Sequence, residues 1–504
     1  MNFTELLQEK RVIFFDGAMG TSLQPYLRAG LPPEKLNLVF PQKVKAAHLS
    51  YIKQGVDVIE TNTFGANRIK LDKFNLTQKL KDINYHAVKI AKETAYSQLV
   101  GASIGPLGNL VQPWGEITSS QALEVFREQI EILAEAGADI VVIETMMSLK
   151  EAKIAVVAAR EVCDLPVVCQ LTFGEQGRTL TGTDAETAVF TLEALNIEVS
   201  GANCSIGPEQ MFPVVKAMVS CASKPLIFQP NAGNPHLVKG KTVFPVGPEE
   251  FSEWAKKFVE SGVKIVGGCC GTTPEHIAAM VKNIKNISPP VKKHLILKGF
   301  SSRKKIYTFK KESPLFLGIN FPLELMENEK ENFDKILQLV DKAKEKGCSF
   351  LNLNFAKIPQ NFKISSFMNF LQQNTDLGIN MEIDKPSFVY DALSELEGKG
   401  LVFLSCSSWQ EEEILTQIKK WGAAPGFNIY LDKKTQIKKE IEIILQKCKK
   451  IKMNIEEVVV KITLPPFSQF SFSFADVINK IKKVKSRIPV SVILQLNNFS
   501  TTKI

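Results

Sequence analysis

Nowhere in the 504-residue chain do about 18 apolar residues follow one another, so nothing in it matches the thickness of a bilayer as a spanning helix. The opening MNFTELLQEKRVIFFDG places Glu5, Glu9, Lys10 and Arg11 ahead of any sustained apolar run, which is not the layout of a signal peptide; the expectation is a cytoplasmic protein with no membrane partner. Cysteine is scarce. Nine in a chain of this length are too few for a secreted disulfide scaffold, and Cys269 and Cys270 are adjacent, a poor arrangement for bridging to each other. Reduced thiols, structural or metal-binding, are expected. A uniform excess of one charge is also missing. The net +9 comes from residues 291–504, with 34 Lys and Arg against 23 Asp and Glu, while residues 1–290 hold 28 against 30. The lysines at 433–434, 438–439, 447 and 449–450 lie at helical spacing among Ile and Leu, the pattern of a solvated helix face, and no nucleic-acid partner is expected.

What is present is regular alternation. Eight short β-rich runs occur in the first part: RVIFF (11–15), VDVIE (56–60), LVGAS (99–103), DIVVIE (139–144), PVVCQLT (166–172), EVSGAN (198–203), PLIFQ (225–229) and KIVGG (264–268). Between them lie amphipathic stretches such as SQALEVFREQIEILAEAGA, with apolar residues at three and four and a closing glycine. The fold class expected is α/β: a (β/α)8 TIM barrel over residues 1–290, an eight-stranded doubly wound sheet being the alternative. The stretch ISPPVKKHLILKGFSSRKK interrupts the pattern, and 291–305 reads as a linker. Seven further strand-like runs, from LFLGIN (315–320) to VSVILQL (490–496), then predict a second, degenerate or incomplete (β/α) barrel over 306–504, lacking its last unit.

In a barrel of this kind the working groups gather at the C-terminal ends of the strands. The polar residues at those ends are Asp16 in FFDGAMGT, Glu60 and Asn62 in IETNTFG, Glu144 in IETMMS, Asn203 and Cys204 in GANCSIGP, Asn231 in QPNAGNP, and Cys269 with Cys270 in GGCCGTTPEH. Cys204 ends the sixth strand and the pair ends the eighth, so the three sulfurs can converge across the barrel mouth. Three thiolates suit Zn2+, which takes sulfur tetrahedrally and, when catalytic, keeps its fourth corner open. A thiol substrate fits that corner, deprotonated there yet still nucleophilic. GGCCGT also has the glycines of a phosphate loop, although cysteine is a strange choice for one. Cys163, Cys169, Cys221, Cys348, Cys406 and Cys448 read as ordinary core thiols. Glu144 and Asp16 are acceptors for an ammonium, and the backbone N–H groups of Gly17, Ala18, Met19 and their neighbours suit a carboxylate; together they would hold an α-amino acid.

With these residues assembled, the first ~290 positions resemble the homocysteine S-methyltransferase family. DGAMGT, ETNTFGAN, IGPLG, the ET at Glu144, GANCSIGP, PNAG and GGCCGTTPEHI occur in the family's order. The resemblance implies zinc on Cys204, Cys269 and Cys270, homocysteine near Asp16 and Glu144, and methionine as product. The implied methyl donor is a methyl-corrinoid protein; a small donor such as S-methylmethionine or betaine is the alternative. Past the linker the chain resembles the pterin-binding barrel that follows this module in methionine synthases. Asn352 stands where that family has an acid, Asn354 is retained, Glu382 replaces an Asp and Lys461 replaces another. Pterin recognition uses carboxylates on the ring's donor edge, so folate binding is not expected here, and the second barrel reads alternatively as a non-catalytic docking module. No Asp-x-His-x-x-Gly cobalamin motif occurs, so any cobalamin would sit on a separate protein.

Overall fold

The structure is a computed structural model that describes residues 1–9, 11–27, 31–238, 241–290, 297–308, 318–321, 329–355, 358, 362–383, 385–405, 412–430, 442, 446, 449–450, 458–464 and 491–496. The chain divides into two compact units, Met1–Ile296 and Leu297–Ile504.

The first unit is a parallel barrel. Its strands are β1 (Ile13–Phe14), β2 (Val58–Glu60), β3 (Leu99–Ile104), β4 (Ile140–Met146), β5 (Val167–Leu171), β6 (Val199–Asn203), β7 (Leu226–Gln229) and β8 (Ile265–Val266). Each pairs in parallel with its chain neighbours, β8 returns to β1, and a bridge from Phe15 to Val58 completes the ring. Helices connect the strands, among them Leu80–Thr94, Ser119–Glu135 and Leu149–Val162. The second of these starts on a capping box in which Thr118 and Gln121 satisfy each other's backbone N–H groups.

A period of two explains what the barrel holds. Inward positions near the strand starts are Ile13, Val58, Ile140, Val168, Val199, Ile227 and Ile265, all buried and clustered with Phe3 and Leu6 of the N-terminal helix Phe3–Gln8. Phe3 and Leu6 close the floor. Burying each such side chain is worth about 1.5–3 kcal/mol, so this layer anchors the ring. Two residues further along, the same faces carry Phe15 and Val142, still in the apolar cluster, and the polar or small Glu60, Gln170, Gly201, Gln229 and Gly267; two beyond that come Glu144, Asn203 and Cys269. The interior thus passes from apolar floor to polar mouth within one or two steps of the pleat.

The second unit contains a seven-stranded, all-parallel sheet: β9 (Gly318–Phe321), β10 (Phe350–Asn354), β11 (Gly378–Glu382), β12 (Leu401–Ser405), β13 (Ala424–Tyr430), β14 (Val459–Leu464) and β15 (Ser491–Leu496). The strands lie side by side in chain order, as in a barrel, but among the described residues nothing pairs β9 with β15. Where the sequence reads as a linker, the structure has an antiparallel hairpin, Gly299–Ser301 against Ile306–Thr308. Strands of three residues are too short to show a period. Phe300 and Tyr307 of that hairpin cluster with Phe350, Leu401, Phe403, Ala424 and Val459. Among the described residues no helix is long and apolar enough to cross a membrane.

Candidate metal centre and substrate pocket

The loops after β6 and β8 carry the cysteines. Cys204 and Ser205 both have left-handed backbones (φ 59° and 66°), a conformation that costs a non-glycine residue roughly 1–2 kcal/mol. Flanking hydrogen bonds hold the turn: Cys204 N donates to Gln229 O (3.1 Å) and Ile206 N to Cys204 O (2.8 Å). Opposite, Cys269 N donates to Pro230 O and Ala232 N to Cys270 O, each 2.9 Å. Gly268 is required because a Cβ there would stand 2.5 Å from Thr272 Oγ1, whose hydroxyl donates to Cys269 O (2.7 Å).

These loops bring the three sulfurs within 4.8 Å of one another, the Cys204 and Cys270 sulfurs being 3.8 Å apart. Tetrahedral bonds of about 2.3 Å to one zinc ion require sulfurs about 3.8 Å apart, so the donor set fits that ion. Among the described residues this is the one cluster of three or more His, Cys, Asp or Glu with such spacing. Hydrogen bonds from Cys204 and Cys269 pull the Cys270 thiol far below its ordinary range, and the same contacts push Cys269 up. Cys163, Cys169, Cys221 and Cys348 lie outside the cluster; Cys406 and Cys448 are outside the described residues.

Beside the sulfurs is a cavity of about 270 Å³, walled by Gly17–Thr21, Pro33, Glu34, Glu60, Phe64, Ser103, Glu144, Asn203, Cys204, Gln229, Cys269 and Cys270, with their neighbours. Glu144 accepts from Ser103 Oγ and from Asn203 Nδ2 (3.0 Å), and burial lifts its carboxyl to about 7. Asn203 links acid to metal site, its Nδ2 also lying 3.9 Å from Cys269 Sγ, while Thr145 N donates to its Oδ1 (2.7 Å).

Of the residues singled out from sequence, Gly17, Ala18, Met19, Glu60, Asn62, Glu144, Asn203 and the three cysteines line the cavity. Ala18 N is already engaged with Thr272 Oγ1 (3.2 Å). Asp16 is fully buried outside the wall, accepting from Glu60 N (3.0 Å), and burial raises it to about 8. Asn231 is also outside the wall, buried, with its N–H on Ile206 O (3.2 Å). Sequence reasoning did not single out Glu34, Phe64, Ser103 or Gln229. Ser103 and Gln229 were legible as inward strand positions; Glu34 and Phe64 lie in loops with no period to read.

An eight-stranded parallel barrel thus carries a cluster of three thiols and a buried acid at its mouth. The family model "Homocysteine S-methyltransferase" matches residues 13–284, more than half of the chain, and the chain belongs to that family. It is 32% identical over 296 residues to a methionine synthase of Mycobacterium leprae, covering 54% of this chain and 24% of that one. It is 31% identical over 309 residues to that of Mycobacterium tuberculosis, covering 57% and 26%. The chain therefore matches about a quarter of the length of these curated relatives. A crystal structure of the homocysteine methyltransferase MmuM from Escherichia coli, in its metallated form, is 20% identical and covers 55% of this chain and 98% of that one, with a TM-score of 0.48.

Proposed function

We propose that the first unit transfers a methyl group to the sulfur of homocysteine, giving methionine, with Zn2+ held by Cys204, Cys269 and Cys270. The observation that carries this is the sulfur triad, spaced for one tetrahedral ion and opening on a cavity with acids in its wall. Cys204, Cys269 and Cys270 would hold the zinc, which would supply the Lewis acidity that keeps a substrate thiol ionised at neutral pH.

The chain's own groups do the rest. Glu144 accepts the substrate's ammonium, held in place by Ser103 and Asn203, and Asp16, buried just outside the wall, accepts from Glu60 N and so fixes the end of β2. Backbone N–H groups at Gly17 and Met19 face the substrate carboxylate, and Ala18, whose N–H is engaged, supplies wall. The substrate sulfur attacks the donor's methyl carbon; the S–C bond forms as the donor–methyl bond breaks, and that bond's electron pair leaves with the donor.

The donor is a methyl-corrinoid carried on a separate protein. Support comes from Phe64, the one aromatic in the cavity wall, whose ring already has Lys70 Nζ 4.4 Å from its centroid. A trimethylammonium or sulfonium donor seeks such a face. Here the chain's own cation occupies it. The second unit we read as binding no folate, because Asn352 and Lys461 stand where the resembled barrel has acids, and Asn352 Nδ2 (2.9 Å) and Asn354 Nδ2 (3.3 Å) both donate to Glu382.

The test is the zinc-loaded full chain with homocysteine and, in turn, methylcobalamin, S-methylmethionine and betaine. Methionine should form with methylcobalamin and fail to form in Cys269→Ser; turnover by that variant at the wild-type rate would defeat the assignment.

A further inference from the structure

Cys270 is held by a segment that contributes no sulfur of its own. Its carbonyl accepts from Ala232 N (2.9 Å), Ala232 O accepts from Val246 N (3.0 Å), and Val246 O accepts from the ring Nε2 of His276 (2.9 Å). Three hydrogen bonds thus run from an imidazole to the backbone of one of the three cysteines. Phe244, two residues before Val246, lies on the next residue of the cysteine loop. A Cβ on Gly271 (φ 80°) would stand 2.1 Å from the Phe244 Cγ, so only glycine lets the ring settle there. Phe244–Val246 is therefore a clip laid on the loop Cys269–Gly271 and fastened by His276.

The fastener is itself fixed. His276 is 7% exposed, in the first turn of the helix Pro274–Ile284, with its ring edge-on to Phe251 (centroids 5.6 Å apart). Its Nδ1 lies 3.2 Å from Thr273 N and 3.0 Å from Thr273 Oγ1. Val246 O can only accept and Thr273 N can only donate, so the proton sits on Nε2 and Nδ1 is an acceptor. A neutral ring thus spends one nitrogen on the helix cap and the other on the clip. The cap alone does not call for histidine, because Glu or Gln at this place completes a capping box. Reaching Val246 O calls for a donor as well.

We infer that His276 is a positioning residue for the metal centre, acting through Val246 and Ala232 to hold the Cys270 loop in the geometry that binds zinc. The inference rests on the zinc site proposed above. Without the fastener the clip is free to lift, the Cys270 sulfur leaves its place beside Cys204 and Cys269 part of the time, and the ion is held less tightly.

Two substitutions of nearly equal shape separate the fastener from the cap. His276→Glu keeps the capping acceptor and has no donor for Val246 O; His276→Gln keeps the acceptor and restores an N–H. Zinc affinity of the full chain is measured by competition with a chromogenic chelator, and folding of the metal-free protein by circular dichroism. The dissociation constant should rise about tenfold in His276→Glu, the lower end of what losing an outer-shell partner costs a metal site, and stay near the wild-type value in His276→Gln. His276→Asn, which caps but is too short to reach Val246, replaces the Glu variant should that one fail to fold. A Gln variant that binds zinc no more tightly than the variant without a donor overturns the fastening role. A wild type that binds no zinc brings down the metal reading itself, and this inference with it.

Discussion

The two units follow one plan below and part company above. Each closes its floor with an N-terminal element, the helix Phe3–Gln8 in the first and the hairpin Gly299–Thr308 in the second, packed on apolar residues near the strand starts. Above the floor the first unit gathers chemical capacity around one cavity: three sulfurs in mutual contact, and the acids Glu34, Glu60 and Glu144 in its wall. The second spends the same kind of residue on itself, its Glu382 taking one amide on each oxygen. Apolar floors make a scaffold. What makes a site is polar capacity that the fold positions and does not consume.

The sharpest break in that comparison is to remove one sulfur from the first unit. Cys269→Ser should abolish stoichiometric zinc and lower methionine formation by about a thousandfold, since the lost ion supplies several kcal/mol to the transition state. Cys348→Ser in the second unit should change neither metal content by atomic absorption nor turnover. A smaller effect follows from Asn203→Ala, which cuts the link from Glu144 to Cys269. Loss of a group that orients both an acid and a metal ligand costs about 10–100-fold. The loss should fall on KM for homocysteine and on zinc affinity together.

How much of this was legible follows the physics of each element. All fifteen strands of the two parallel sheets lie on apolar runs read from the sequence, because strands buried on both faces read as near-continuous apolar runs. The sulfur triad was legible too, since strand ends converge at one rim whatever their distance along the chain. The hairpin Gly299–Thr308 was not: three residues per strand carry no period. Nor was the different placement of Asp16 and Glu60. Both end a strand, and only the pleat and the turn after β1 decide which faces the cavity. Asn231 shows the same limit, a strand-end polar residue that the loop turns out of the wall.

A third and milder test uses pH. Burial raises Asp16 to about 8, and Glu144 and Glu151 to about 7, above their unfolded values near 4. A raised carboxyl binds more protons folded than unfolded between those limits, so its contribution is full below about pH 4 and is lost as pH rises through 7 to 8. The metal-free protein should therefore lose several degrees of Tm between pH 5 and 8 from these groups. Methionine should restore part of it, because its ammonium compensates the ionised acids. A Tm that rises steadily across the window would contradict the burial of these acids.

The smallest expected effect belongs to the second unit and tests the comparison from its quiet side. Glu382→Gln removes a charge but keeps an acceptor for one of the two amides that hold it, Asn352 and Asn354. If that acid serves only its own network, zinc content, KM for homocysteine and turnover with methylcobalamin all stay at wild-type values. Stability then shifts by about 1 kcal/mol, the scale of one altered hydrogen bond. Titration of the wild-type full chain with methyltetrahydrofolate should show no saturable signal. Saturable binding that Glu382→Gln abolishes would mean that the carboxylate can be released from its amides to meet a ligand, and the second unit would then hold a site of its own.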